Sequence, residues 1–173
     1  MIHMLFLFFE LPAFLFHYLI IRRLFHIKKS IAAHLILLFI SSLIVAMIIF
    51  IGDWDNLPAT LLLYLAGIQY ACTDSRAKKL TLALMLSSIV FAGNIFVDNI
   101  LENYDSFWIM AWIRILFSAL LYLLVRFGGP EKDTELGDSL WYLLLFLTLA
   151  PIGTILSIVL IPTIEVWGPP WFS

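Results

Sequence analysis

Glu10, Asn94, Asp98 and Arg114 stand inside long apolar runs of this sequence, and each is a residue type that can do chemistry there. A charge in apolar surroundings is costly, so such a residue faces protein or water and finds a partner. Glu10 could bind a cation, relay protons or hydrogen-bond a neighbouring helix, and the last of these asks least of its surroundings. Burial favours its protonated form. Pro12, just beyond it, removes a backbone hydrogen bond and can kink a helix. In "FAGNIFVDNIL" (91–101), Ser87, Asn94, Asp98 and Glu102 fall near one helical face. In "FWIMAWIRILFSALLYLLVR", Met110, Arg114, Ser118 and Tyr122 do the same. Opposite charge and matched depth predict an Asp98–Arg114 pair. That pair is either a polar cluster that rearranges when a ligand binds or a fixed tie between two helices.

Other reactive residues are less organised. His17 and His34 lie at similar depth, but two histidines without a nearby carboxylate or cysteine make a poor metal site. No metal or cofactor is expected. Cys72, the single cysteine, excludes an internal disulfide framework. It fits packing at a helix end better than nucleophilic or lipidation chemistry. No glycine-rich phosphate loop, H-E-x-x-H or G-x-S-x-G motif is present, so no catalytic residue is assigned. A membrane peptidase using Cys72 and His34 would need two helices to bring them together.

The elements that position these residues follow from composition. The chain is 63% hydrophobic and 13% charged, against about half apolar and about a quarter charged in soluble domains. This predicts an all-α integral membrane protein. Six runs approach the ~20 apolar residues that a crossing needs: about 2–21, 31–51, 57–73, 80–101, 107–125 and 140–162. Each should be helical, because backbone groups in lipid must pair internally. They form one transmembrane domain, without a convincing internal repeat. The first run lacks a cleavage site and ends in Arg22-Arg23, so it reads as a retained span.

Charge sets the orientation. Of ten Lys and Arg residues, all except Arg114 lie in three breaks: "RRLFHIKKS", "TDSRAKK" and "RFGGPEKDTELGDS". The other breaks, "GDWDNLP" and "ENYDS", are acidic. Basic loops stay cytoplasmic. The predicted six-helix bundle therefore has its N-terminus outside and sits as a multi-pass protein in the plasma membrane. The basic loops are too short for a nucleic-acid surface. Trp54, Tyr104 and Trp108 mark the outer interface, and Trp141 and Tyr142 the inner one. Asp74 or Ser75, and Asp138 or Ser139, are placed to cap the helices that follow.

The run "WIRILFSALLYLLVRFGGPEKDTELGDSLWYLLLFLTLAPIGTILSIVLI" resembles the membrane domain of the accessory-gene-regulator class of sensor histidine kinases. The resembling features are Arg114 in a Leu-rich helix, the polar loop, Leu140-Trp141 and Pro151-Ile152-Gly153. "FAGNIFVDNIL" is similar to the fourth span of that class. The resemblance covers roughly residues 80–162; the GHKL-type ATPase domain and its phosphorylated histidine are absent. It implies a receptor for a secreted peptide, working as a homodimer and coupled to a cytoplasmic kinase module in the same, longer chain. With six spans and an outside N-terminus, a seventh helix is expected after Ser173, because Pro162, Pro169 and Pro170 break any continuing helix. The acidic and aromatic outer rim suits a small apolar or cationic peptide. Its candidate ligand-binding residues are Trp54, Asp98, Glu102, Tyr104, Trp108 and Arg114. Interface anchoring explains most of the same residues. The alternative is a small-molecule transport or substrate-binding subunit, with Glu10, Asp98 and Arg114 lining a cavity.

Overall fold

The six apolar runs form six helices: α1 (Ile2–Leu24), α2 (Ile31–Ala46), α3 (Asn56–Ala71), α4 (Arg76–Ile100), α5 (Phe107–Gly128) and α6 (Asp138–Trp167). The computed structural model describes the backbone over residues 2–46, 56–100, 107–134 and 136–167, and side chains over 10–46, 56–97, 108–134, 136–137 and 139–155. Among the described residues no strand forms beyond one isolated antiparallel bridge between Ile27 and Cys72.

Helix ends follow hydrogen bonding rather than the edge of the apolar run. α1 continues through Arg22 and Arg23 in its last turn, where cations complement the helix dipole. α4 begins at Arg76, ahead of the expected Leu80, and α5 runs on to Gly128. The end expected for the second span lies outside the described residues. α6 corrects the reading of the tail: it passes through Pro162 and ends at Trp167. A proline removes one backbone bond, and the helix on either side of it persists.

Caps account for three of the starts. Ser30 Oγ accepts from the Ala33 amide at 3.2 Å, and Ser75 Oγ from the Lys78 amide at 3.3 Å, each satisfying a first-turn donor. Ser75 is therefore the cap of α4, and Asp74 is left for other work. At α6 the amides of Leu140 and Trp141 both donate to the Gly137 carbonyl. The cap position is thus Gly137, one residue before Asp138 and two before Ser139, the expected caps.

α1, α2, α3 and α4 pack in chain order, and α5 closes the ring by packing on α1 and α4. α2 also touches α4, while α6 packs on α4. Close approach needs small residues at two crossings. A Cβ on Gly67 would stand 2.8 Å from Ile40, and one on Gly93 would stand 2.6 Å from the Phe117 ring.

Within a mainly apolar core the bundle also buries polar residues, and its exterior carries many large apolar side chains. Glu10, His17, Ser41, Ser87, Asn94 and Arg114 are buried. Leu62, Phe96, Trp112, Leu116, Phe127 and Phe146 are exposed. A contiguous apolar exterior of this kind needs an apolar environment or partner. Two helices are long and apolar enough to cross a membrane, over Arg76–Val97 and Trp108–Gly128; Ile31–Ala46 and Ser139–Ile155 are shorter apolar helices. Trp141, expected at an interface, is instead buried, and its carbonyl accepts from Thr81 Oγ1 at 2.9 Å. Tyr142 beside it is exposed.

Candidate functional site: an interior ion pair above a polar hub

A charge in the interior of the bundle is paired across helices. Arg114 Nη1 on α5 donates to Glu10 Oε1 on α1 at 2.9 Å, with side chains 4% and 0% exposed respectively. The two residues stand equally far from the ends of their helices, Leu24 and Gly128. At 1.5 Å per residue this places both about 20 Å from the end bearing the basic loops. α1 and α5 make one of the most extensive helix contacts in the bundle. Arg114 thus has a partner on α1, a helix distant in sequence. The side chain of Asp98, its expected partner, lies outside the described residues. Glu10 performs the simplest of the roles open to it, a bond to a neighbouring helix.

Around the pair, Asn94 Nδ2 on α4 donates to the Ile44 carbonyl of α2 at 3.1 Å. Ser87 and Ser118, expected on the faces of Asn94 and Arg114, are buried with them. Ser87 Oγ returns its bond to the Leu84 carbonyl. Below these, two histidine–tyrosine bonds tie the first three helices. His17 Nε2 meets Tyr64 Oη at 3.2 Å, and His34 Nδ1 meets Tyr18 Oη at 2.8 Å. The histidines at similar depth therefore serve separate tyrosines. Among the described residues no cluster of His, Cys, Asp and Glu could hold a metal. Cys72 is buried, and the backbone around it is tied: Lys79 Nζ donates to the carbonyls of Gln69 and Cys72, both at 3.2 Å. These bonds finish α3, since the last carbonyls of a helix lack intrahelical partners.

The three basic connections meet at one end of the bundle. The bridge between the α1–α2 and α3–α4 connections is made by the Lys28 amide to the Ala71 carbonyl and the Thr73 amide to the His26 carbonyl, each 2.9 Å. Asp74 turns away from its helix to receive three donors. These are the His26 amide at 2.7 Å, His26 Nδ1 at 3.0 Å and Lys78 Nζ at 2.7 Å. The other face of the ring, Nε2, bonds Asp133 Oδ1 of the α5–α6 connection at 2.8 Å. Lys78 Nζ also donates to the Lys132 carbonyl, and Arg23 Nη2 pairs with Glu131 at 3.4 Å. A cavity of about 490 Å3 is lined here by His26, Asp74, Lys78, Lys132, Asp133 and Trp141, among others.

The electrostatics of this hub follow from its bonds. Hydrogen bonds to Asp74 and then Asp133 raise the His26 imidazole above its ordinary value, outweighing a smaller loss from burial. Burial works to raise the Asp74 carboxyl, but the bonds from Lys78 and His26 outweigh it and hold the carboxyl below its usual range. Bonding to the charged form is what makes the difference in each case.

A second cavity, a groove of about 690 Å3, runs between α4 and α6 and is lined by residues that include Met85, Ile89, Leu147 and Pro151. Its hydroxyls turn inward: Ser88 bonds the Leu84 carbonyl, Thr148 that of Leu145 and Thr154 that of Ala150.

Of the six residues expected to bind a ligand, Arg114 is buried in the ion pair and Trp108 is half exposed at the start of α5. Trp54, Glu102 and Tyr104 lie outside the described residues, as does the side chain of Asp98. The sequence assigns no role to the hub residues His26 and Asp133 and offers Asp74 only as a helix cap, although all three lie in the basic breaks predicted to share one side. In comparisons with family models, curated proteins and solved structures, the chain has no significant match.

Proposed function

We propose that this chain is a six-span membrane sensor domain with its N-terminus outside the cell. It receives a secreted peptide at its outer face and passes the signal to a cytoplasmic kinase module. The observation that carries this reading is that α1 and the α5 hairpin are joined at two levels. Glu10–Arg114 joins α1 to α5 in the interior. His26–Asp133 joins the connections that follow the same two helices. The Glu10–Arg114 bond, in apolar surroundings, resists exchange because neither partner can turn to water, and the His26–Asp133 bond ties the connections beyond it. A displacement of α5 against α1, begun at the outer rim, is therefore transmitted to the basic loops rather than absorbed between the helices. The resemblance of residues 80–162 to peptide-sensing kinase membrane domains supports the same direction of signalling.

The test uses right-side-out membrane vesicles from the source cells, loaded with radiolabelled ATP and exposed to the peptide fraction of their spent culture medium. Peptide-dependent phosphorylation of protein is expected, and Arg114→Ala should abolish the response. Phosphorylation indifferent to the peptide fraction contradicts the sensor reading. Uptake of a labelled small molecule that depends on this chain would establish transport in its place.

A further inference from the structure

We propose that His26 is a proton-operated fastener for the α5–α6 connection: protonated, it holds Asp74 and Asp133 together, and neutral, it keeps Asp74 and releases Asp133. The argument begins with the valence of the ring. Nδ1 and Nε2 both face carboxylate oxygens, at 3.0 and 2.8 Å. An ionised carboxylate only accepts hydrogen bonds, and a neutral imidazole carries a single N–H. Both bonds therefore exist together only in the imidazolium. On loss of the proton, one ring nitrogen presents a lone pair to a carboxylate oxygen and repels it.

Which bond survives is decided by the other groups around the ring. Asp74 is held independently by the His26 amide and by Lys78 Nζ, and its side chain is 3% exposed. Asp133 is 73% exposed, with water available to replace the ring. Neutral His26 therefore keeps its hydrogen on Nδ1 for Asp74 and turns the Nε2 lone pair toward Asp133. The remaining contacts of the connection are the Glu131–Arg23 pair and the bond from Lys78 Nζ to the Lys132 carbonyl. They keep the connection near the bundle, so the release frees the corner at Asp133 rather than the whole segment. The sign follows from the raised imidazole: the fastened state is complete below the ordinary histidine value and is lost as pH rises through the raised one. This inference goes beyond the sensor reading and does not depend on it.

The experiment uses the full chain in lipid nanodiscs, with spin labels at Lys29→Cys and Thr134→Cys in a Cys72→Ala background. Distances are recorded from about pH 5.5 to about pH 9, bracketing the ordinary histidine value of ~6.5 and the range above it. The distribution should shift to longer, broader distances in a one-proton titration. The 15N shifts of His26, assigned with His26→Gln, should titrate with the same midpoint. Asp133→Ala should show the high-pH distribution throughout. Asp133→Asn, whose amide can donate to neutral Nε2 and accept from the imidazolium, should stay fastened throughout. A distribution that does not move while His26 titrates overturns the proposal. So does a His26 that never titrates in this range, or a pH response that survives in Asp133→Asn.

Discussion

Arg114→Ala is expected to destabilise the protein by about 3–5 kcal/mol, the usual cost of breaking a buried ion pair by removing one partner. Glu10 would be left ionised in a fully buried position or forced to take up a proton, and either outcome is unfavourable. Glu10→Ala should cost a similar amount by removing the buried carboxylate that Arg114 bonds. The exchange Glu10→Arg with Arg114→Glu should recover part of the loss, because α1 and α5 run in the same direction and the pair stays level. Unfolding in mixed micelles measures each variant. A double mutant that equals the sum of its singles would show that the two residues are not coupled. Replacing both by well-packed apolar residues is expected to cost less than either single change, since the desolvation cost of two charges disappears with them.

Asp74→Ala should be the next most damaging change, at about 2–4 kcal/mol, because hydrogen bonds to a charged group contribute about 1.5–3 kcal/mol and stranded buried donors cost more. Three donors lose their acceptor at once, and Lys78, itself buried, loses its counter-charge. Asp74→Asn should be milder, because the amide oxygen still accepts from the His26 amide. The pH dependence has a definite sign. The Asp74 carboxyl is held below its ordinary value, so its stabilisation is complete above about pH 4 and is lost as pH falls through the depressed value. Acid unfolding of the wild type should therefore show a component that is absent in Asp74→Asn. Chemical denaturation at a series of acidic pH values checks this.

The order and number of the helices were legible because apolar runs are bounded by charged breaks, and the cap of α4 was legible as one of two residues, Asp74 or Ser75. The anomalies Glu10 and Arg114 were also legible one at a time. Their pairing was not, because depth was counted from the short outer connection that makes α4 and α5 neighbours in sequence. Counting from the basic ends of α1 and α5 places Glu10 and Arg114 level, and that signal was available. His26, Asp74 and Asp133 were hidden for a different reason. They sit in loops, 48 and 107 residues apart along the chain, where no periodicity constrains them and polar residues are expected anyway. Trp141 shows the same limit from the other side. Its position beside a basic loop suggested an interface anchor, but only tertiary packing against α4 decides which way the indole points. Proline disfavours helix and so predicts a stop at Pro162, yet the helix continues beyond it to Trp167.

In the proposed arrangement the basic loops share one side of the membrane, beneath an interior that carries the ion pair. Single cysteines at Lys29, Asn56, Ser106 and Thr134, each in a Cys72→Ala background, test it when intact cells are treated with an impermeant thiol reagent. Asn56→Cys and Ser106→Cys should react from outside, and Lys29→Cys and Thr134→Cys only after the membrane is opened. Labelling of position 29 or 134 in intact cells would contradict the arrangement.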